Sequence, residues 1–267
     1  MEAKSIERQG ARIAYEVGGD GPAILLGHSL LCDRRMWEGV APGLATSHRV
    51  INVEARGHGK STAPSPFSLE DLADDWRAVL DEEKVDRVLL CGLSMGGMTA
   101  MRLALSDRRR IAGLALLDSS ADRETPLNRV KYLAMALAVR RFGHLDPLYQ
   151  EVAKIMFGAT TLGRSPQVVQ REILRFKEKD PKQIFHAVRA VIDRGSLLGR
   201  VRELRLPTAI LVGEEDRATP PIRSRRLLAA IPGSRLHVIT GAGHLSAIEQ
   251  PSAVNRVLAG FLNQISW

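Results

Sequence analysis

Short runs of mostly apolar residues, separated by helix-like stretches, constrain this chain more than any other feature. Ala23 to Leu26, Val50 to Val53, Val88 to Cys91 and Leu114 to Leu117 are such runs, and Thr208 to Val212 and Leu236 to Ile239 repeat the theme later. A strand with one wet face alternates apolar and polar residues, whereas a strand buried on both faces need not. The runs therefore predict an α/β fold, a mostly parallel sheet covered by helices on both sides. Leu69 to Leu80 and Met98 to Leu105 carry apolar residues at helical spacing, as do Ile222 to Ile231 and Pro251 to Ile265 after the later runs. Near the start, Ser5 to Arg8 and Ile13 to Val17 flank Gln9 and Gly10, which predicts an antiparallel hairpin leading into the sheet.

From Arg123 to about Arg205 the pattern stops. Tyr132, Met135, Leu137, Val168, Ile173, Phe176, Phe185, Val188 and Val191 fall at mostly helical spacings, with breaks near Gly143 and Pro147, at Gly163 to Pro166, at Asp180 and Pro181, and at Gly195. Four or five helices are expected. The chain then divides into a first core part (1–119), an inserted helical cap (120–206) and a second core part (207–267). Ligands of parallel sheets bind beyond the carboxyl ends of the strands, so an insertion between two strands is expected to act as a lid there.

Charge singles out the same insertion. The chain carries a formal net charge of +8, and 17 Lys and Arg against 9 Asp and Glu lie between Ser120 and Leu206, so this segment holds the whole surplus. Two readings stay open. Lys177, Lys179 and Lys182 sit among polar neighbours and suit a solvated helix face, whereas Arg189 or Arg129 facing the cleft would fork a substrate carboxylate and make the substrate anionic. Nucleic acid is not the expected partner. Aromatic residues are sparse in the segment, and no basic run exceeds Arg108 to Arg110.

The 267 residues suit one to two domains with a core that needs no cross-links. Cys32 and Cys91 are the only cysteines; Cys91 lies in an apolar run, where a thiol serves as a small buried hydrophobe, and a reducing compartment fits. Met1 to Gly10 mixes charges with no apolar core, and no uncharged stretch is long enough to span a bilayer, so a cytoplasmic protein without membrane attachment is expected. The absence of a Cys and His cluster at metal-ligand spacing predicts no metal, and no cofactor is required.

Gly92, Leu93, Ser94, Met95 and Gly96 form G-x-S-x-G directly after Val88 to Cys91 and directly before a helical stretch. A serine in so sharp a strand-to-helix turn is pushed out at the sheet edge, and the flanking glycines remove Cβ atoms that would collide. The first helical turn aims backbone N–H groups at whatever the serine attacks. Acyl transfer by serine needs a base and a group that orients the base. His244, in the glycine-rich loop Gly241 to Leu245, is the expected base; Asp216, after the run Thr208 to Val212, is the expected acid, with Asp118 and Glu215 as rivals. Asp118 also has a plain structural reading, as a strand-end residue that caps backbone amides. The N–H groups of Met95 and Leu30 are the expected oxyanion donors, and His28 and His58 are read as bracing residues.

Together, Gly92 to Gly97, the loop His28 to Trp37, Arg56 to Ser61 (R-G-H-G-K-S), the Asp216 loop and G-A-G-H at 241–244 resemble the α/β-hydrolase superfamily. The likeness covers roughly residues 10 to 120 and 205 to 265. Within the superfamily, C-G-L-S-M-G-G and H-S-L before D-R-R-M-W are similar to 3-oxoadipate enol-lactonases, related small esterases and cofactor-free haloperoxidase-like hydrolases. This resemblance implies an eight-stranded sheet and a serine hydrolase of small esters or lactones working through Ser94, Asp216 and His244. A C–C bond hydrolase, a perhydrolase and a ligand-binding protein without activity are the alternatives on the same scaffold. Glu54 stands where such sequences more often have aspartate, which touches no catalytic residue. Serine at the elbow argues against haloalkane dehalogenases and epoxide hydrolases, which use aspartate.

Overall fold

A computed structural model describes residues 1–267. Its strands and helices run in chain order as β1 (Glu2–Arg8), β2 (Ala11–Gly18), β3 (Ala23–Gly27), α1 (Ala41–Leu44), β4 (Arg49–Val53), α2 (Leu69–Glu82), β5 (Val88–Leu93), α3 (Met95–Ser106) and β6 (Ile111–Leu117). Five helices follow: α4 (Pro126–Phe142), α5 (Asp146–Met156), α6 (Ala159–Arg164), α7 (Pro166–Lys177) and α8 (Pro181–Ile192). The chain ends with β7 (Thr208–Gly213), α9 (Pro221–Ala230), β8 (Arg235–Ile239), α10 (Ser246–Glu249) and α11 (Pro251–Leu262). All eight strands join one sheet in the order β1-β2-β4-β3-β5-β6-β7-β8. Only the β1–β2 and β2–β4 pairs are antiparallel, so β2 alone runs against the other strands; the remaining five pairs are parallel.

The apolar runs in β3 to β7 are buried on both faces, whereas β8, at the sheet edge, leaves Val238 51% exposed. In β3, Ile24 and Leu26 point into one cluster with Val254, Leu258 and Phe261 of α11, while Ala23 and Leu25 point into a second with Trp76 of α2, Met101 of α3 and Leu227 of α9. Each large aliphatic or aromatic side chain so withdrawn from water stabilises the fold by about 1.5–3 kcal/mol. The strand β6 begins at Ile111, earlier than the run Leu114 to Leu117 suggests. Gly113 hides the start: a Cβ there would lie 2.7 Å from Ile265 Cδ1. The glycine makes room for packing and does not break the strand.

Between β6 and β7 the helices α4 to α8 fall where the breaks predict, with one further division at Gly158 between α5 and α6. A Cβ on Gly158 would lie 2.5 Å from Glu215 Oε2 and 2.8 Å from the Gly243 nitrogen, so the segment needs glycine to approach the loops after β7 and β8. The solvated reading of the basic surplus needs one correction. Lys179 is only 5% exposed, and its ammonium donates to Asp33 Oδ2 and to the Arg175 carbonyl, both at 2.7 Å. A carboxylate in the loop after β3, far off in sequence, draws that lysine inward. No helix is long and apolar enough to cross a membrane.

Candidate active site

Ser94 sits in the turn between β5 and α3 with φ 53° and ψ −110°, a conformation that costs a non-glycine residue about 1–3 kcal/mol. Neighbouring groups hold it there. Its N–H donates to the Leu117 carbonyl (2.9 Å), its carbonyl accepts from the Ser119 hydroxyl (2.9 Å), and the next N–H but one, from Gly96, donates to the His28 carbonyl (3.1 Å). The turn closes only because a Cβ on Gly96 is absent; one would lie 2.2 Å from the Gly27 carbonyl oxygen.

His244 lies in the loop between β8 and α10, and Asp216 in the loop after β7. The imidazole Nδ1 donates to both carboxylate oxygens of Asp216, at 3.1 and 3.0 Å. Burial would disfavour the charge on both partners, but their mutual attraction outweighs it. Asp216 is held below the usual carboxylate range with help from Thr219, and His244 is raised above the ordinary histidine value. The Asp216 carboxylate is fixed from behind: the N–H groups of Ala218 and Thr219 donate to Oδ1 (2.9 Å each), and the Thr219 hydroxyl donates to Oδ2 (2.8 Å). Glu249 braces the histidine loop by accepting from the N–H groups of Gly243 (2.9 Å) and Leu245 (3.2 Å), and it reaches Gly158 N–H in the inserted segment (2.9 Å).

The two rival carboxylates are engaged elsewhere. Asp118, fully buried at the end of β6, accepts from the Gly213 N–H (2.7 Å) and from the Ser246 hydroxyl. Burial and the nearby Asp216 charge push it well above the usual carboxylate range. Glu215 accepts from the backbone N–H (2.8 Å) and hydroxyl (2.5 Å) of Thr160, tying the acid loop to α6.

The N–H of Leu30, in the loop after β3, donates to no protein acceptor, and that of Met95 opens α3, where no intrahelical partner exists. Two buried histidines shape the loop. His28 Nδ1 donates to the Ser29 carbonyl (2.8 Å) while Nε2 accepts from Ala55 N–H (2.9 Å). His58 Nδ1 donates to the Arg56 carbonyl (3.0 Å) while Nε2 accepts from Leu31 N–H (3.2 Å). Each ring thus needs one bare nitrogen, and burial lowers both pKa values, that of His28 to about 4.

Ser94 and His244 line one cavity of about 140 Å³ together with Leu30 and Thr219. Its remaining wall comes from α4, α5 and α8, through residues such as Met135, Val139, Val152, Ile155, Val188 and Val191. The structure does not bring Arg129 or Arg189 to it. Both side chains are about half exposed, at 53% and 49%, and both pair with Asp193 at the surface, at 2.7 and 2.6 Å. A nearby carboxylate one helical turn from Arg189 offers a short surface pairing, which keeps the guanidinium hydrated. Thr219 and Glu124 also line the cavity and were not anticipated. The spacing of Asp216 and Thr219, with a side-chain acceptor for the N–H three residues on, is a turn pattern that could have flagged the first; nothing local marks Glu124.

Comparison with known proteins gives a consistent picture. The sequence pattern of the alpha/beta hydrolase family matches residues 24–257. The chain is 27% identical over 260 residues to 3-oxoadipate enol-lactonase 1 of Acinetobacter baylyi, covering 97% of this chain and 96% of that one. A thermophilic esterase from Thermogutta terrifontis superposes with a TM-score of 0.92 at 29% identity, covering 99% of both chains. The enol-lactonase of Burkholderia xenovorans LB400 superposes with a TM-score of 0.90 at 29% identity, covering 97% of this chain and all of the other.

Proposed function

This chain belongs to the alpha/beta hydrolase family, and from that premise we propose that it is a serine hydrolase of small carboxylic esters or lactones. The observation that carries the reading is the His244–Asp216 pair at 3.0 Å, facing the same cavity as a serine held in a left-handed turn. With Nδ1 committed to Asp216, Nε2 is the nitrogen free to act as base.

Ser94 Oγ attacks the substrate carbonyl as His244 Nε2 takes its proton. The oxyanion is stabilised by the N–H groups of Leu30 and Met95, and two preset donors of this kind lower the barrier because they need no reorganisation. The C–O bond to the leaving group breaks, and the alcohol departs with the proton from His244. In a lactone that alcohol stays attached to the acyl chain. Water then attacks the acyl-enzyme, giving its proton to the same nitrogen, and the carboxylic acid leaves as Ser94 is restored. Asp216 remains ionised throughout and stabilises the imidazolium. Residues 120–206 act as a cap whose apolar wall keeps bulk water from the acyl group.

Turnover of p-nitrophenyl butyrate tests this reading. The wild type is expected to hydrolyse it and Ser94→Ala to fall to near background; equal rates for the two would overturn it.

A further inference from the structure

The cavity beside Ser94 offers no cation other than His244 itself. No lysine or arginine lines it, and 18 of its 24 residues are apolar. Of the remaining polar groups, the Tyr149 hydroxyl meets His144 Nδ1 (2.8 Å) and the Thr219 hydroxyl is bound to Asp216, which leaves the neutral hydroxyls of Ser29 and Tyr132 beside that of Ser94. The one other charged group in the wall is a carboxylate, Glu124.

Four donors hold Glu124 in place. Arg194 Nη2 donates to Oε2 (3.0 Å) and Arg223 Nη2 to Oε1 (2.9 Å), while Thr125 N–H (3.0 Å) and Asn128 Nδ2 (3.1 Å) also donate to Oε1. Both guanidinium groups lie behind it, with side chains 1% and 9% exposed, and neither reaches the wall. Burial opposes ionisation, but the two arginines prevail and hold Glu124 below the usual carboxylate range, so the group is an anion at neutral pH.

We infer that the substrates are uncharged: esters or lactones whose acyl part is apolar and bears no carboxylate. The inference rests on the serine hydrolase reading and narrows it. A substrate carboxylate entering this wall would lose its hydration and gain no counter-ion, since the two nearby guanidinium groups already pair with Glu124 and do not reach the wall. An apolar acyl chain leaves only apolar wall to be filled. The basic surplus of the cap does not alter this, because Arg129 and Arg189 spend their charge on Asp193 outside.

The test compares ethyl butyrate with monoethyl succinate, followed by acid release at constant pH; the acyl chains have the same number of carbons, and a carboxylate stands in place of the terminal methyl. For the wild type, kcat/KM is expected to be at least about tenfold higher for the neutral ester. Binding of the same two esters to Ser94→Ala, which cannot turn them over, is expected to show the same order in Kd. This binding arm reads the cavity even if hydrolysis fails, so the two readings fail separately. Met135→Lys, which adds a flexible cation to the wall from half-buried α4, is expected to raise kcat/KM for the charged ester several-fold. Equal or tighter binding, or faster cleavage, of the succinate ester by the unsubstituted cavity would overturn the inference.

Discussion

At the residue scale the account turns on protons. The base must be neutral to accept the Ser94 proton, and Asp216 raises His244 above the ordinary value of 6.5. Activity should therefore fall as pH drops through a pKa above 6.5, visible as the acid limb of kcat/KM against pH. In Asp216→Asn the imidazolium loses its partner, so that limb should move to lower pH while turnover drops by about 10³–10⁴. Thr219→Val removes the hydroxyl donated to Asp216 Oδ2 and leaves the two backbone donors. A hydrogen bond to a charged group contributes about 1.5–3 kcal/mol, so a loss of about tenfold in kcat/KM is expected, with the acid limb shifted. Unchanged kinetics in that variant would remove Thr219 from the site. Ser94, Asp216 and His244 could be picked out in the chain because each stands in a loop next to a recognisable strand. Glu124 could not, since its role comes from Arg194 and Arg223, which only folding brings near, and Thr219 was marked only by its place three residues after Asp216.

At the scale of elements, an exacting junction is where β3, β5 and the start of α3 meet. Gly96→Ala would set a methyl 2.2 Å from the Gly27 oxygen, against backbone that cannot step aside. A destabilisation of about 2 kcal/mol or more and loss of esterase activity are expected, checked by denaturant unfolding and turnover. The attachment of α7 to the loop after β3 gives an asymmetric prediction. Arg35 also donates to Asp33, at 2.9 and 2.7 Å, so Lys179→Met leaves the carboxylate neutralised, whereas Asp33→Ala leaves a buried ammonium with only a carbonyl. Asp33→Ala should cost about 3–5 kcal/mol and Lys179→Met clearly less; the reverse order would contradict the placement of the pair. Both sheet and helices were legible because apolar period reports burial directly. The inward turn of Lys179 was not, since a lysine among polar neighbours looks the same in sequence whether or not a distant aspartate captures it.

For the whole molecule, buried histidines set the response to acid. His28 and His58 each use a bare ring nitrogen as an acceptor, and burial lowers both, His28 to about 4. The unfolded chain takes up protons at these residues near pH 6.5 and the folded chain does not, so their contribution is complete above that pH and is lost progressively below it. For His28 alone the full loss amounts to about 3 kcal/mol. His244 and the buried Asp118, both raised when folded, work in the opposite direction and offset part of this. A melting temperature that falls between pH 7 and pH 4.5 is expected; one that rises would show that the two rings are not held neutral. Asp33, held far below its usual range by Arg35 and Lys179 despite burial, adds a second loss below about pH 4.

The most direct measurement is the site of covalent modification by a fluorophosphonate, read by mass spectrometry of the digested protein. The account predicts one adduct, on the peptide carrying Ser94, formed rapidly near pH 8 and at least about a hundredfold more slowly in His244→Ala. An adduct on another residue, or labelling of Ser94 that is indifferent to the loss of His244, would contradict it.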